Sequence, residues 1–182
     1  MFVKKNKSFE EFVSKHSDGS QSVNFDVERE IKEWRGALLE LYRSIEQFVS
    51  PYKDVGSVQL ELTPITIYEE SLGSYAVNGA VLRVGDAKYI LSPIGTMLIG
   101  SKGRVDLLGP SGSSMLALVK GDGPRVKVRV TIGNDSKSKT IDNDTTPSDQ
   151  SWKWKIVSSK PPYTYSELNE DNFLNLLMSL AR

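Results

Sequence analysis

The chain reads as an α+β protein: a predominantly antiparallel meander sheet of six or seven strands, packed by one long helix in the N-terminal half and by a C-terminal helix. Three observations predict this. The segment Asn24–Val49 repeats apolar residues at alternating spacings of four and three, which is helical periodicity. After Tyr52 the period becomes two, the mark of half-buried strands. The strand-like segments are then joined by short glycine turns, too short for the crossovers that parallel strands need.

In the long helix the apolar positions are Val27, Ile31, Trp34, Leu38, Leu41, Ile45 and Phe48, and Pro51 stops the run. Such a repeat reads either as a coiled-coil seam, giving a homodimer through Asn24–Val49, or as a helix lying on a sheet. Leu39, Tyr42 and Val49 widen the stripe, which suits a globular core. Before it, residues 1–22 are polar and charged and read as an arm or a short helix.

Among the strands, Val58, Leu60 and Leu62 point one way and Gln59, Glu61 and Thr63 the other. Pro64 cannot donate to a ladder, so this strand lies at an edge or bulges. Tyr75 to Val84 follows, with a kink or bulge at Asn78-Gly79, then the tight turn Gly85-Asp86. The stretch from Lys88 to Val119 holds the centre of the sheet. Pro93 implies a bulge or bend, TMLIG is apolar on both faces, and GSKG and GPSG punctuate hairpins. Helices over both faces, or one face buried in an oligomer, would cover such a strand. RVKVRVTI, from Arg125, alternates cleanly; residues 134–151 form a long polar, flexible loop; WKWKIV is a further strand. Asn169 suits the N-cap of the last helix, Asn169–Ala181, with Glu170 and Asp171 in its first turn.

A chain of 182 residues fits one domain, and about 70% of its unfolded surface can be buried without staples. The absence of cysteine excludes disulfides, thiolate metal sites and thiol catalysis. Lysine plus arginine equals aspartate plus glutamate at 23 each, so no global charge draws the chain to nucleic acid or to anionic lipid. No stretch approaches the ~20 apolar residues of a membrane span, and the opening residues lack the apolar run of a secretory leader. A cytoplasmic protein is expected.

Chemistry-bearing patterns are few. GSKG and GPSGSS join strands, whereas a phosphate cradle should feed a helix. Arg104 and Asp106 share one strand face, either as a buried pair able to orient an anion or as a solvated charge pattern. Arg125, Lys127, Arg129, Lys153 and Lys155 form a basic stripe if their strands are adjacent, extended by Lys137 and Lys139 on the loop. It would meet phosphates, an acidic protein, or only water at a guarded edge. Trp152 and Trp154 point away from it and suit the core, with Trp34 as their counterpart on the long helix. His16 is the sole histidine and assembles no triad. Glu61, Glu69-Glu70 and the group Asp142, Asp144 and Asp149 are the available carboxylates. No cofactor, metal or catalytic residue is assigned. The inventory points to a non-catalytic intracellular protein that binds another protein, as adaptor, inhibitor or neutralising factor. Nucleic-acid binding through the basic face and a carboxylate-dependent hydrolase are the alternatives.

Overall fold

The computed structural model describes residues 26–55, 57–96, 101–121, 151–158 and 163–182. The expected N-terminal arm, the segment TMLIG beyond Thr96, the strand RVKVRVTI and the polar loop up to residue 150 lie outside them.

Asp26 opens the first helix, α1 (Val27–Val49), by accepting the Arg29 backbone N–H at 3.1 Å. A 3-10 segment, Ser50–Val55, carries the chain past Pro51. Seven strands follow: β1 (Val58–Glu69), β2 (Gly73–Val84), β3 (Ala87–Gly95), β4 (Gly103–Gly109), β5 (Gly112–Lys120), β6 (Trp152–Val157) and β7 (Tyr165–Glu167). Asn169 caps the last helix, α2 (Glu170–Leu180), taking the Asn172 N–H at 2.9 Å. The strands lie side by side in chain order, each antiparallel to the next, so the architecture is an α+β meander. β7 is a strand the periodicity does not reveal, because three residues are too few to show alternation.

Both helices bury their apolar sides in one core with one face of the sheet, rather than on opposite faces. From α1 come Trp34, Leu38, Leu41, Tyr42, Ile45 and Val49, and from α2 Phe173, Leu177 and Leu180. The stripe is thus consumed by the sheet and by α2, where Phe48 meets Phe173 at 6.0 Å between centroids. Leu39, expected within it, is exposed.

Two close approaches seat the helices on β4. A Cβ on Gly103 would lie 2.2 Å from Trp34 Cζ3, so the indole rests directly on bare backbone. Gly103, Leu118 and Trp154 form one cross-strand row beneath α1. Trp154 tilts against Trp34 at 6.0 Å and donates its indole N–H to the Ala37 carbonyl at 3.1 Å. At the other end of β4, a Cβ on Gly109 would lie 2.7 Å from Leu180 Cβ. Two carbonyls at the C-terminus of α2 find donors there, Tyr89 Oη at Leu177 (2.8 Å) and Ser111 N–H at Leu180 (2.9 Å).

β1 is an edge strand, as Pro64 requires, and the ladder slips between Pro93 and Gly95, as Pro93 implies. The Asn78-Gly79 kink takes a form other than a bulge. The β1–β2 register runs unbroken, yet the buried parity of β2 changes from Tyr75, Val77 and Gly79 to Ala80 and Leu82. β3 pairs with β2 only from Ala80 onward, which frees the rest of the hairpin to bend. Beyond the bend Ile65 and Ile67 turn inward, and Leu62, expected inside, is exposed. Arg35 holds the bent part through the Ala76 carbonyl (2.9 and 2.7 Å), and Tyr42 through the Asn78 carbonyl (2.6 Å).

Burial pushes the Tyr42 hydroxyl well above the ordinary tyrosine value of 10.0, because a phenolate there would lack water. A raised folded-state pKa favours folding while the group is neutral. That contribution is complete below pH 10.0 and is lost as the pH rises through the folded-state value. Urea unfolding above pH 10.0 should therefore show stability falling with pH. Tyr42→Phe should flatten part of that fall while costing about 1 kcal/mol at neutral pH. An unchanged alkaline slope in the variant would contradict the assignment.

Candidate functional site

The face of the sheet opposite the helices is laid out by alternation and register. From β1 to β5 one row runs Glu61, Val81, Ile90, Leu108, Ser113. Toward the β2–β3 turn lies the row Gln59, Arg83, Lys88. On the other side come Ser92, Asp106, Met115, Val157 and Tyr165, and then Gly95, Arg104, Ala117, Lys155 and Glu167.

Arg104 and Asp106 therefore lie on this outer face, with Val105 between them buried on the inner one. They form a bidentate pair, Nε to Oδ1 at 2.7 Å and Nη2 to Oδ2 at 3.1 Å, and both are half-buried. The Asp106 carboxylate holds the guanidinium protonated more firmly than usual. Each charge is thereby neutralised by the other, and the pair is partly shielded rather than freely solvated.

Lys155 shares the face, one strand beyond Ala117, but it is not part of a solvated row. Only 5% of it is exposed. Ala117, Val119 and Val157 form a small apolar cluster on this face, joined by Met115 and Tyr165. Lys155 lies beside it and reaches Glu167 Oε1 at 3.5 Å. A long aliphatic stem with a charged tip suits such a place. Lys153 is exposed on the same face. Arg125, Lys127 and Arg129 lie outside the described residues, as do Lys137 and Lys139. The structure thus brings Arg104, Asp106 and Lys155 together across three strands.

The tryptophans divide. Trp154 is core. Trp152, one row beyond the strip that Trp34 covers, is 41% exposed, with the Lys102 and Lys120 ammonium groups 5.8 and 5.4 Å from its ring centroid. A cleft of about 240 Å³ opens there, lined by Trp34, Trp152, Thr96, Lys102, Glu33 and Glu40. Lys102 pairs with Glu33 and holds that carboxyl below its ordinary value. A second cleft of about 270 Å³, between α1 and the bent hairpin, is rimmed by Leu39, Leu62 and Pro64. Its polar groups, Arg35 and Tyr42, already hold backbone carbonyls.

Of the carboxylates, Glu61 is exposed at the sheet edge. Glu69 accepts hydrogen bonds from the Tyr75 hydroxyl, the Thr96 backbone N–H (2.8 Å) and the Thr96 hydroxyl (3.1 Å), and so ties the hairpin to the end of β3. The group Asp142, Asp144 and Asp149 lies outside the described residues, and no cluster of three metal-ligating side chains occurs among those described.

The outer face also exposes large apolar side chains that the sequence reading passed over: Ile90 at 38%, Leu108 at 43% and Ile94 at 43%. Their signal was present as apolar neighbours in Tyr89-Ile90-Leu91 and Leu107-Leu108, where one of each set must face outward.

Replacing Lys155 tests whether its ammonium is structural. Lys155→Met keeps the stem and removes a buried charge, so its stability should stay within about 1 kcal/mol of wild type or exceed it. Lys155→Ala, which empties the space, should be clearly less stable in urea unfolding. Equal losses in both would show that the charge itself supports the fold.

No protein-family model, no curated protein and no solved structure matches this chain.

Proposed function

We propose that the chain is a non-catalytic binding protein whose outer sheet face docks another protein in the cytoplasm. One observation carries the reading. Both helices pack on the inner face, while the opposite face presents Ile90, Leu108 and Ile94 partly open to solvent beside a self-neutralised Arg104–Asp106 pair. Solvent-exposed apolar side chains grouped on a face that neither α1 nor α2 covers, and bordered by polar ones, are the composition of a protein interface. The paired charges would give register to a partner without adding net charge. No helix among the described residues is long and apolar enough to cross a membrane.

Site-specific photo-crosslinking tests this. A benzophenone amino acid at Ser113, in the row of Ile90 and Leu108, should yield discrete protein adducts in extract of the cells that make the chain. Ile90→Glu with Leu108→Glu in the same chain should abolish them, with circular dichroism unchanged. The same probe at Tyr52, exposed beyond α1, should give none of these bands. Adducts that survive the double substitution, or that form equally from both positions, would overturn the reading.

A further inference from the structure

We infer that the outer face receives a short protein segment carrying carboxylates beside large apolar side chains, docked over Val81, Ile90 and Leu108 with its acids against Arg83 and Lys88. The inference rests on the protein-binding reading above and adds the chemistry of the partner.

Arg83 and Lys88 are directly opposed across β2 and β3. Like charges in that position repel and destabilise a sheet unless something neutralises them. Both side chains are exposed, and neither is in an ion pair among the described residues. Asp86 lies in the intervening turn and Glu61 stands opposite Val81 in register, and neither forms an ion pair with them among the described residues. Two other cations of the face behave differently. Arg104 is held by Asp106, and Lys155 by Glu167. The opposed cations thus form a site on this face that calls for an anion from outside.

The apolar row begins one step along each strand from these cations. Val81 pairs with Ile90, and Ile90 with Leu108, on the same face. A ligand seated there touches aliphatic side chains and two cations together. Two inter-strand steps span about 10 Å, and the strand from Lys88 to Ile94 about 20 Å. That footprint fits one extended or helical segment and falls short of the roughly 800 Å² per partner typical of two folded domains. Nucleic acid fits less well, because the exposed row holds aliphatic side chains and no aromatic ring on which a base stacks.

The test uses the full chain and a displayed library of random peptides. Selection on the wild type should enrich peptides with Asp or Glu next to Leu, Ile, Val or Phe. A synthetic peptide from that pool, followed by fluorescence anisotropy, should bind about ten-fold more weakly to Arg83→Glu/Lys88→Glu, and less weakly to Arg83→Gln/Lys88→Gln. Selection on the charge-reversed chain should enrich Lys and Arg instead. Ile90→Ser with Leu108→Ser should remove binding of both peptide classes. The inference is overturned if charge reversal leaves the enriched peptides unchanged, if no class is enriched, or if a labelled poly-dT oligonucleotide binds tighter than the selected peptide. The two readings fail separately. Adducts at Ser113 with charge-insensitive peptide selection would end the acidic-segment inference alone, and absence of adducts would end the protein-binding reading beneath it.

Discussion

The Trp34 indole occupies the space where a side chain on residue 103 would stand. Docking of α1 depends on that contact. Because Gly103 lacks a Cβ, the largest side chain of the helix reaches the backbone of a central strand and is fully enclosed. Trp154, from the same cross-strand row, then leans on Trp34 and fixes the helix in rotation by bonding to the Ala37 carbonyl. Leu38, Leu41 and Ile45 follow in register along the inner face. The other end of β4 repeats the device, with Leu180 of α2 over Gly109. One strand between two glycines thus positions α1 and α2 on the same side, and neither helix covers Ile90 and Leu108 on the other.

Much of this fold is legible in the residue pattern, for reasons that can be named. α1 is long enough for its period to be unmistakable, and Pro64 and Pro93 mark an edge and a bulge because each lacks an N–H. Asn169 is a cap whose side chain does what its type suggests. The glycines of GSKG and GPSG are harder. As letters they say turn, and Pro110-Ser111 is one. That Gly103 and Gly109 also serve as seats depends on which distant side chains arrive above them, and no local pattern encodes that. The bend at Gly79 is hidden similarly. It changes the buried parity between Leu62 and Ile65 while the ladder stays in register, so alternation read from Val58 onward would put Ile65 and Ile67 on the wrong face.

The candidate surface was partly visible. Arg104 and Asp106 are recognisable as neighbours on one face because they are two apart in a strand. Lys155 looks solvated because its own strand alternates, yet it is buried beside Ala117 and the adjoining apolar cluster, which come from distant parts of the chain. Arg83 and Lys88 fall at the ends of separate strands, and their opposition emerges only from register. The face that results is graded. A cationic end gives way to an aliphatic middle, then to charges that satisfy one another. On the protein-binding proposal, such a surface would select a partner by charge at one end and hold it by apolar contact in the middle.

The central claim is that Gly103 is small because Trp34 must lie on it, and a double-mutant cycle in urea tests this most directly. Gly103→Ala alone should cost at least about 1–3 kcal/mol, from overpacking against the ring. Trp34→Leu alone should cost about 2–4 kcal/mol from lost burial. Together they should cost clearly less than the sum, because the added methyl then has room, with an interaction energy of about 1 kcal/mol or more. Strict additivity, or a Gly103→Ala variant as stable as the wild type, would contradict the account.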